Sequence, residues 1–483
     1  MTGSVEATPT IGAALRWWAR RDPDAVAVRC AGRVLTRQEL EEWSDDVARR
    51  WLAQGVRVDD LVAVALPNGL EAVVAFVAAW KAGATPQPLS PRMDPADREA
   101  VLAAGRPAVV LDRVEDVPGP PDGPSSAPPL PDLAASCWKA PTSSGSTGCP
   151  KVVRAAAPAR VDPRARVAPF VPRSAVQLVA GPLTHAAPFV YAMRGLTTGH
   201  ELVVLPRFDA GEWLRAVARH GVTWAVLVPS MMHAVWRHPD RARTDVSSLE
   251  AVLHLGARCA PWLKRAWIDW LGPDRVHELY AGTESQGLAF VDGHDWTLRP
   301  GTVGRPLPGS RFRVVRPDLS DCAPGEVGEV LMRREHPTYG YVGAHPLVRD
   351  GWHTLGDSGW LDADGYLFVG DRLDDLITVD GTRVAPADVE AVLEEHLCVR
   401  SAVAVEAGGT GGVHAVVELV DGTPDPHDVL ATWCSARLEP VARPVSWTVV
   451  RDPLRDDTGK VRRSRWRPGS TASGRITCDD HDQ

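Results

Sequence analysis

Several features that would assign this chain to a membrane, secreted or zinc-binding class are missing. No CxxC pair occurs among the eight cysteines, and the histidines do not complete a zinc-binding spacing. Scattered cysteines of this kind favour free thiols in a reducing compartment. The first ten residues contain neither a basic segment nor an apolar run, so no signal peptide is predicted. We therefore expect a cytoplasmic protein.

Long hydrophobic runs and excess positive charge are also absent. The most apolar stretch, residues 61–80, is interrupted by Pro67, Asn68 and Glu71, which predicts a strand, a turn and a helix instead of a membrane span. The formal charge of −8 argues against nucleic acid or an acidic membrane as a partner. With 44% hydrophobic and 24% charged residues over 483 positions, the composition predicts two or three globular domains.

Helix and strand patterns alternate through the first three-quarters of the chain, which predicts an α/β architecture with parallel strands. Thr36, with Glu39 three residues later, predicts a capped helix over residues 36–53. Further strands are predicted at 61–66, 201–205, 224–228 and 251–255, and further helices at 69–82, 211–220 and 260–271. Residues 117–132 contain seven prolines and are expected to form an exposed loop.

The pattern changes twice towards the carboxyl end. After Pro300 short strands and turns dominate, which predicts a β-rich subdomain. Beyond Asp371, a helix at 386–396 and strands at 401–405 and 413–420 predict a small α+β domain. We therefore predict an N-terminal domain over 1–371, a mobile C-terminal domain over 372–467 and a disordered tail over 468–483.

The segment SSGSTGCPK, residues 143–151, has the composition of a phosphate-binding loop. Small residues let backbone N–H groups approach phosphate oxygens, hydroxyls add donors, and Lys151 supplies a positive charge. The spacing does not fit GxxxxGK[ST], and Pro150 would interrupt the helix that such a loop starts. A P-loop kinase or ATPase is therefore disfavoured.

This loop, together with YAGTE at 280–284, GTVGRPLPG at 301–309 and DTGKVR at 457–462, resembles the adenylate-forming enzymes. That superfamily includes acyl-CoA ligases, luciferase and peptide-synthetase adenylation domains, and the motifs stand here in its order. The resemblance implies the substrates ATP, a small-molecule carboxylic acid and coenzyme A, with Mg²⁺ as cofactor. It covers nearly the whole chain, and a homodimer stays open.

The resemblance also implies roles for individual residues. Tyr280 stacks on adenine, Asp357 binds both ribose hydroxyls, and Arg372 adds a ribose or phosphate contact. Glu284 holds Mg²⁺, a task that suits a carboxylate beside phosphates. The catalytic set is Lys460, which reaches the reacting carboxylate and the α-phosphate, with His185, Thr283 and Glu284. The other implied nucleotide contacts are Ser143, Ser146, Thr147, Gly148, Lys151, Gly256 and Ala257.

Residues 253–287 look closer to bile-acid-CoA-type ligases than to amino-acid-activating domains. The segments that match the acyl pocket are mostly small or apolar and include no Asp that could bind an amine. A bulky apolar acid, polycyclic like a steroid or terpenoid, is therefore predicted, and an aryl acid stays open. The implied pocket residues are His185, Phe189, Met193, Ser230, His254, Gly256, Ala281, Gly282 and Gly287.

The implied reaction has two steps. The carboxylate displaces pyrophosphate from ATP, the small domain rotates about Asp374, and the thiol of coenzyme A then displaces AMP along a route that passes Gly381. Ser144, Val152, Arg258 and Ala281 depart from the usual pattern, which leaves open a ligase that uses a preformed adenylate. A stand-alone enzyme that loads a carrier protein is the other alternative. A non-catalytic binder is disfavoured because the charged motif residues are intact.

Overall fold

The structure is a computed structural model that describes residues 8–123, 127–142, 151–336, 338–343, 346–408, 411–420, 426–456, 459–461 and 463–467. The α-helices in these ranges are α1 Ile11–Arg21, α2 Arg37–Ala53, α3 Leu70–Lys81, α4 Pro95–Gly105, α5 Ala186–Thr197, α6 Ala210–His220, α7 Pro229–Arg237, α8 Pro261–Leu271, α9 Gly293–Leu298, α10 Pro386–Glu395 and α11 His427–Ser435. None of these helices is long and apolar enough to cross a membrane.

The strands, in chain order, fall into five sheets that are described below. Their bounds are β1 Val26–Cys30, β2 Arg33–Thr36, β3 Leu61–Val64, β4 Thr85–Pro88, β5 Val109–Leu111, β6 Val152–Ala155, β7 Val176–Val179, β8 Glu201–Val204, β9 Trp224–Leu227, β10 Ala251–His254, β11 Val276–Ala281, β12 Leu288–Asp292, β13 Thr302–Pro306, β14 Ser310–Val315, β15 Gly328–Arg334, β16 Tyr339–Val342, β17 Val348–Arg349, β18 Trp352–Leu361, β19 Leu367–Arg372, β20 Ile377–Val379, β21 Thr382–Val384, β22 Val399–Glu406, β23 Val413–Leu419 and β24 Pro444–Val450.

The largest sheet runs in the order β14-β15-β18-β19-β13-β12-β11-β10-β9-β7-β8-β1-β2, with β17 paired to β18. The strands β1, β8, β7, β9, β10 and β11 are parallel to one another. From β11 onward the neighbours β12, β13 and β19 pair antiparallel, which gives the β-rich part. Strands β9 and β10 are buried throughout, as expected where helices cover both faces of a parallel sheet.

A second parallel sheet, β4-β3-β5, lies across α3 from the first. Every residue of α3 except Glu71 is buried, because this helix packs within the main hydrophobic core instead of on the surface. Its last residue, Lys81, is buried as a cation whose Nζ lies 2.7 Å from both Glu41 and Asp45. Two carboxylates and a backbone carbonyl therefore replace the water that this ammonium loses.

The C-terminal part has its own core. Strands β22, β23 and β24 form a three-stranded sheet, and α10 and α11 contribute Val389, Leu393 and Leu430 to the cluster that fills the space beside it. The two-stranded pair β20-β21 lies just before it in the chain. The other small pair, β6-β16, carries residues of the candidate site.

The predicted α/β fold with a β-rich part and a small α+β unit is confirmed. The cap of α2 has the predicted form, since Thr36 Oγ1 accepts from the Glu39 N–H at 3.1 Å and Glu39 Oε2 accepts from the Thr36 N–H at 2.8 Å. The predicted strands and helices are found within a few residues of their expected bounds. The proline-rich segment contains no helix or strand in its described residues 117–123 and 127–132, although Leu130 is buried.

Candidate active site

Three neighbouring parallel strands end at one edge of the main sheet, and the residues that follow them form the floor of the site. Strand β9 leads into Ser230, β10 into Gly256, and β11 into Thr283. Gly256 has φ +90°, a conformation that side chains rarely adopt, so glycine suits this turn. Loops at the carboxyl ends of parallel strands are where α/β proteins bind ligands. The fold therefore brings predicted residues from three separate segments to one edge.

Most of the predicted phosphate loop lies outside the described residues. Ser143, Ser146, Thr147 and Gly148 lie outside the described residues, whereas Lys151, immediately before β6, is described. Because β6 pairs antiparallel with β16, the ammonium of Lys151 lies 5.3 Å from the ring centroid of Tyr341. A cation at this distance interacts favourably with the face of an aromatic ring.

Glu284, the implied metal ligand, is buried and held from two directions. The hydroxyl of Tyr341 donates to its Oε1 at 2.6 Å, and Thr338 Oγ1 donates to its backbone carbonyl at 3.0 Å. Burial, followed by the bond to this carboxylate, raises the pKa of Tyr341, so the phenol stays protonated as a donor.

The Glu284 carboxylate fits a single Mg²⁺ ligand. Its Oε2 accepts no hydrogen bond from another described residue and so keeps a free oxygen. No cluster of three or more His, Cys, Asp or Glu side chains that could hold a metal exists in the described ranges. This agrees with Mg²⁺, which is commonly bound by one or two carboxylates together with water and substrate phosphates.

A second polar group joins Tyr280, Asp357 and Arg372. The Tyr280 hydroxyl donates to Asp357 Oδ2 at 2.6 Å, and Arg372 Nε lies 3.8 Å from Asp357 Oδ1. Burial raises the pKa of Asp357, and the bond from Tyr280 and the charge of Arg372 partly offset this effect. The ring centroids of Tyr280 and Phe312 are 6.1 Å apart, and this packing fixes the position of the Tyr280 side chain.

Lys460 reaches this site from the C-terminal part of the chain. Its backbone N–H donates to Asp456 Oδ1 at 3.0 Å, and the preceding Gly459 lies so close to Ser230 that an added Cβ would approach the Ser230 hydroxyl to 2.5 Å. Burial lowers the pKa of Lys460. The charge of Asp456 raises this pKa, that of Arg372 lowers it and that of Glu284 raises it. Lys460, Glu284 and Arg372, which are far apart in sequence, thus meet in one cleft.

Helix α10 of the C-terminal part packs on α7 and α8 beside this cleft. Arg237 donates to the carbonyls of Glu394 and Glu395 at 3.1 and 2.7 Å, and His233 bonds to the Glu394 carbonyl at 3.1 Å. The last carbonyls of a helix lack partners within the helix and carry partial negative charge, so a cation placed there is stabilising. Arg258 adds an ion pair to Asp388 at 2.8 Å.

Asp374, the predicted hinge residue, is exposed in a short 3-10 turn, Leu373–Asp375, directly after β19. Gly381 is exposed in the turn between β20 and β21 with φ +79°. Beside the Leu373–Asp375 turn, Arg463 forms a buried ion pair with Glu390 and lies 3.7 Å from Asp371 and 3.6 Å from Asp375. This network ties the carboxyl-terminal segment that carries Lys460 to the predicted hinge.

The predicted acyl-pocket residues divide into two groups. His185, Ser230, Ala281 and Gly282 are partly accessible around the cleft, and Gly256 is exposed. The others are buried against core neighbours, and Phe189 packs on Phe76 with no exposed surface. Both ring nitrogens of His254 lack hydrogen bonds and its pKa is well below normal because of burial, which suits a neutral core side chain. The buried group consists of Phe189, Met193, His254 and Gly287.

The sequence matches the AMP-binding enzyme family over residues 15–131 and 127–342. The chain belongs to this family. A feruloyl-CoA synthase from Amycolatopsis sp. is 30% identical over 87% of the chain and 91% of its own length. A fatty acid–[acyl-carrier-protein] ligase from Streptomyces coeruleorubidus is 27% identical over 93% of the chain and 94% of its own length.

Solved structures agree on the fold. An anthranilate CoA ligase in complex with anthranoyl-AMP has a TM-score of 0.80 at 19% identity, covering 96% of the chain and 97% of that protein. An o-succinylbenzoate CoA synthetase from Bacillus subtilis, in complex with ATP and magnesium, has a TM-score of 0.77 at 22% identity, covering 94% and 98%. The predicted enzyme class, an AMP-forming acid–thiol ligase, is confirmed, and ATP, Mg²⁺ and coenzyme A agree with this family.

Several residues of the site carry no motif of their own. Tyr341, which holds Glu284, stands in a short strand without a spacing that would mark it as functional. Arg237 and Asp388 look in sequence like ordinary charged residues on helix surfaces, and only the packing of α10 on α7 and α8 gives them partners. Such contacts between distant segments cannot be read from local patterns.

Proposed function

We propose that this enzyme converts a ring-containing carboxylic acid with an apolar body into its coenzyme A thioester, with Lys460 serving the first step. The observation that carries the proposal is the position of Lys460. Lys460 is half-buried in the cleft, near enough to Arg372 and Glu284 for their charges to act on its pKa. A positive charge placed there stabilises the negative charge that develops as a carboxylate attacks the α-phosphorus.

The neighbouring residues supply the remaining requirements of this step. The Asp357 carboxylate, steadied by Tyr280, would accept from the ribose hydroxyls, and Thr283 lies next in sequence to Glu284 at the end of β11. Glu284 would hold Mg²⁺, which neutralises phosphate charge when it is bound. His185, just before α5, would border the reacting carboxylate.

An apolar acyl group is supported by the surroundings of α5. Partly accessible side chains of Ala187 and Tyr191 on this helix, with Phe170 and Leu279, pack on the buried cluster around Trp224. Such a surface favours rings over a charged or hydrogen-bonding body. A bulky polycyclic acid stays our first candidate, and the aryl alternative gains support from relatives named for feruloyl and anthranilate substrates.

The second step requires the C-terminal domain, residues 372–467, to rotate about Asp374 and carry Lys460 away. This proposal is supported by the exposed turn at Asp374 and by the small polar contact that α10 makes with α7 and α8. Rotation lets one site present different residues to two reactions. A cytoplasmic location also stays a prediction.

The alternative in which only a preformed adenylate is used loses one of its arguments. Arg258 was expected to crowd the nucleotide, but its guanidinium is engaged by Asp388 at 2.8 Å. Transfer to a carrier protein instead of free coenzyme A stays open, and the relative named as a fatty acid–[acyl-carrier-protein] ligase keeps it so.

A substrate panel tests the proposal. The protein is incubated with ATP, Mg²⁺, coenzyme A and, separately, polycyclic, aryl, fatty and amino acids, and AMP and thioester are measured by mass spectrometry. We expect both products with ring-containing acids. Turnover of amino acids alone, or thioester on a carrier protein but never on coenzyme A, would contradict it.

A further inference from the structure

Two cations towards the acyl side of the cleft, Lys139 and Arg194, have no acidic partner in the part of the chain that the structure describes. Lys139 is 8% exposed, and Arg194 lies on α5 nine residues after His185. Among the described residues no carboxylate lies within ion-pairing distance of either. Residues 143–150, which follow Lys139 closely in the chain, contain no Asp or Glu. A buried lysine without a carboxylate is costly unless another anion binds it.

Both cations lie against one indole ring. Lys139 Nζ is 5.6 Å and Arg194 Cζ is 5.7 Å from the ring centroid of Trp138. The Trp138 ring stacks on Phe189 with 6.0 Å between the ring centroids. Its backbone is held as well, because the Trp138 carbonyl accepts a hydrogen bond from Trp80 Nε1 at 2.7 Å. Both positive charges therefore lie against one aromatic ring whose position is fixed.

Arg194, in the last turn of α5, is exposed to solvent, whereas Lys139 is buried. The surrounding protein atoms still lower the pKa of Arg194 through partial desolvation of its guanidinium. Lys139 lies near enough to Arg194 and to Glu284, the implied Mg²⁺ ligand, for both of their charges to act on its pKa. Burial, and next the charge of Arg194, lower the pKa of Lys139 to about 8, which a bound anion would reverse.

We propose that Lys139 and Arg194 bind a second anionic group of the acid substrate, at the end remote from the carboxylate that is activated. The inference rests on the proposed function and narrows its substrate class to acids with an apolar body between two acidic groups. Nine residues of helix correspond to about 13 Å along α5, so such a body has room for one ring or a few fused rings. Guanidinium and ammonium groups are the usual protein partners of carboxylates.

Matched biphenyl acids test this inference. The first carries a para carboxylate on each ring, and the second is its monomethyl ester, which has the same length but one charge fewer. Acid-dependent AMP formation is measured with the full chain near neutral pH. We expect kcat/KM for the diacid to exceed that for the ester by about 10- to 100-fold, the usual gain from hydrogen bonds between charged groups.

Variants then test whether Arg194 and Lys139 cause the preference for the diacid. In Arg194→Ala and Lys139→Met the ratio of the two kcat/KM values should fall towards one, Arg194→Lys should recover part of it, and Arg219→Ala, an exposed arginine on α6, should keep it. Circular dichroism confirms that each variant is folded. A variant that raises KM for ATP and leaves the ratio intact would assign the cations to phosphate binding and overturn the inference.

Failure of the inference can be separated from failure of the proposed function. Equal use of diacid and ester by the unaltered enzyme would refute the second anion site while the ligase activity stands. If neither acid yields AMP, the melting temperature is measured with each acid alone. A larger shift with the diacid that disappears in Arg194→Ala supports the site, whereas no difference overturns it.

Discussion

The nucleotide side of the cleft, with Asp357 and Glu284, and the acyl side, with Lys139 and Arg194, differ in how their charged groups are paired. On the nucleotide side, Asp357 has a hydrogen bond from Tyr280 and the charge of Arg372, and Glu284 has a hydrogen bond from Tyr341. On the acyl side, Lys139 and Arg194 share only an indole ring. Paired groups stay in position before a ligand arrives, which suits a nucleotide that never varies. Charges without a carboxylate partner are stabilised much more by an anionic ligand than by an aromatic ring, which suits discrimination between acids.

The largest expected effect concerns the lysine that links the two sides. Lys460→Ala should slow acid-dependent pyrophosphate–ATP exchange by about 10²- to 10³-fold, because one donor to the developing charge is lost. Thioester formation from a supplied acyl-adenylate should change far less, since that step no longer needs this charge. Arg451→Ala, an exposed cation in the same domain, is the control. Equal losses in both half-reactions would argue that Lys460 only stabilises the fold.

The prearranged side is tested next through Asp357. Asp357→Ala should raise KM for ATP by about 10- to 100-fold, because the carboxylate that would accept from two ribose hydroxyls is lost. The KM for the acid should move little. Asp364→Ala, an exposed carboxylate between β18 and β19 that pairs with Arg299, serves as the control. A change in the KM for the acid instead of the KM for ATP would contradict a nucleotide-binding role for Asp357.

Loss of the contact between Arg237 and the carboxyl end of α10 should have a smaller effect on activity. Arg237→Ala removes a cation from the carboxyl end of α10, an interaction usually worth about 0.3–1 kcal/mol and up to about 2 in partly buried positions. We expect exchange of pyrophosphate to fall by about 2- to 10-fold while the thioester step is unchanged or faster. Arg243→Ala, whose partner Asp240 belongs to the same turn, is the matched control. Slowing of both steps alike would contradict a role in domain closure.

The pH dependence of the diacid preference should give the smallest effect. The pKa of Lys139 is about 8, lowered by burial and then by Arg194, and raised slightly by Cys137 and Glu284. Lys139 is therefore charged below pH 8 and neutral above it. The ratio of kcat/KM for diacid and ester, which reports the free enzyme, should fall several-fold as the pH rises through this value. A ratio that does not change between neutral and alkaline pH would remove Lys139 from the site.

The two sides also differ in how far the sequence predicts them. Tyr280, Glu284, Asp357, Arg372 and Lys460 stand in motifs, and the structure brings them to one cleft. Their partners could not be foreseen, because Tyr341 reaches Glu284 only through the pairing of β16 with β6.

The acyl side is set by packing, which local patterns describe poorly. Phe189 and Met193 match pocket positions in the motif, but helix α5 turns them into the core beside Phe76 and Trp80. The same helix turns Arg194 towards open space. Which face of α5 borders the cleft depends on the strands and helices around it, so a list of segments could not separate core from lining. The fold, by contrast, follows from periodic patterns that each segment carries.

Pyrophosphate–ATP isotope exchange by the unaltered enzyme tests the central claim most directly. In the proposed reaction, one cleft activates an acid as its adenylate before the thiol reacts. Labelled pyrophosphate should therefore enter ATP only when a suitable acid is present, with no need for coenzyme A. Thioester formation from a supplied acyl-adenylate, with no exchange under any acid that is turned over, would show that the first half-reaction does not take place here.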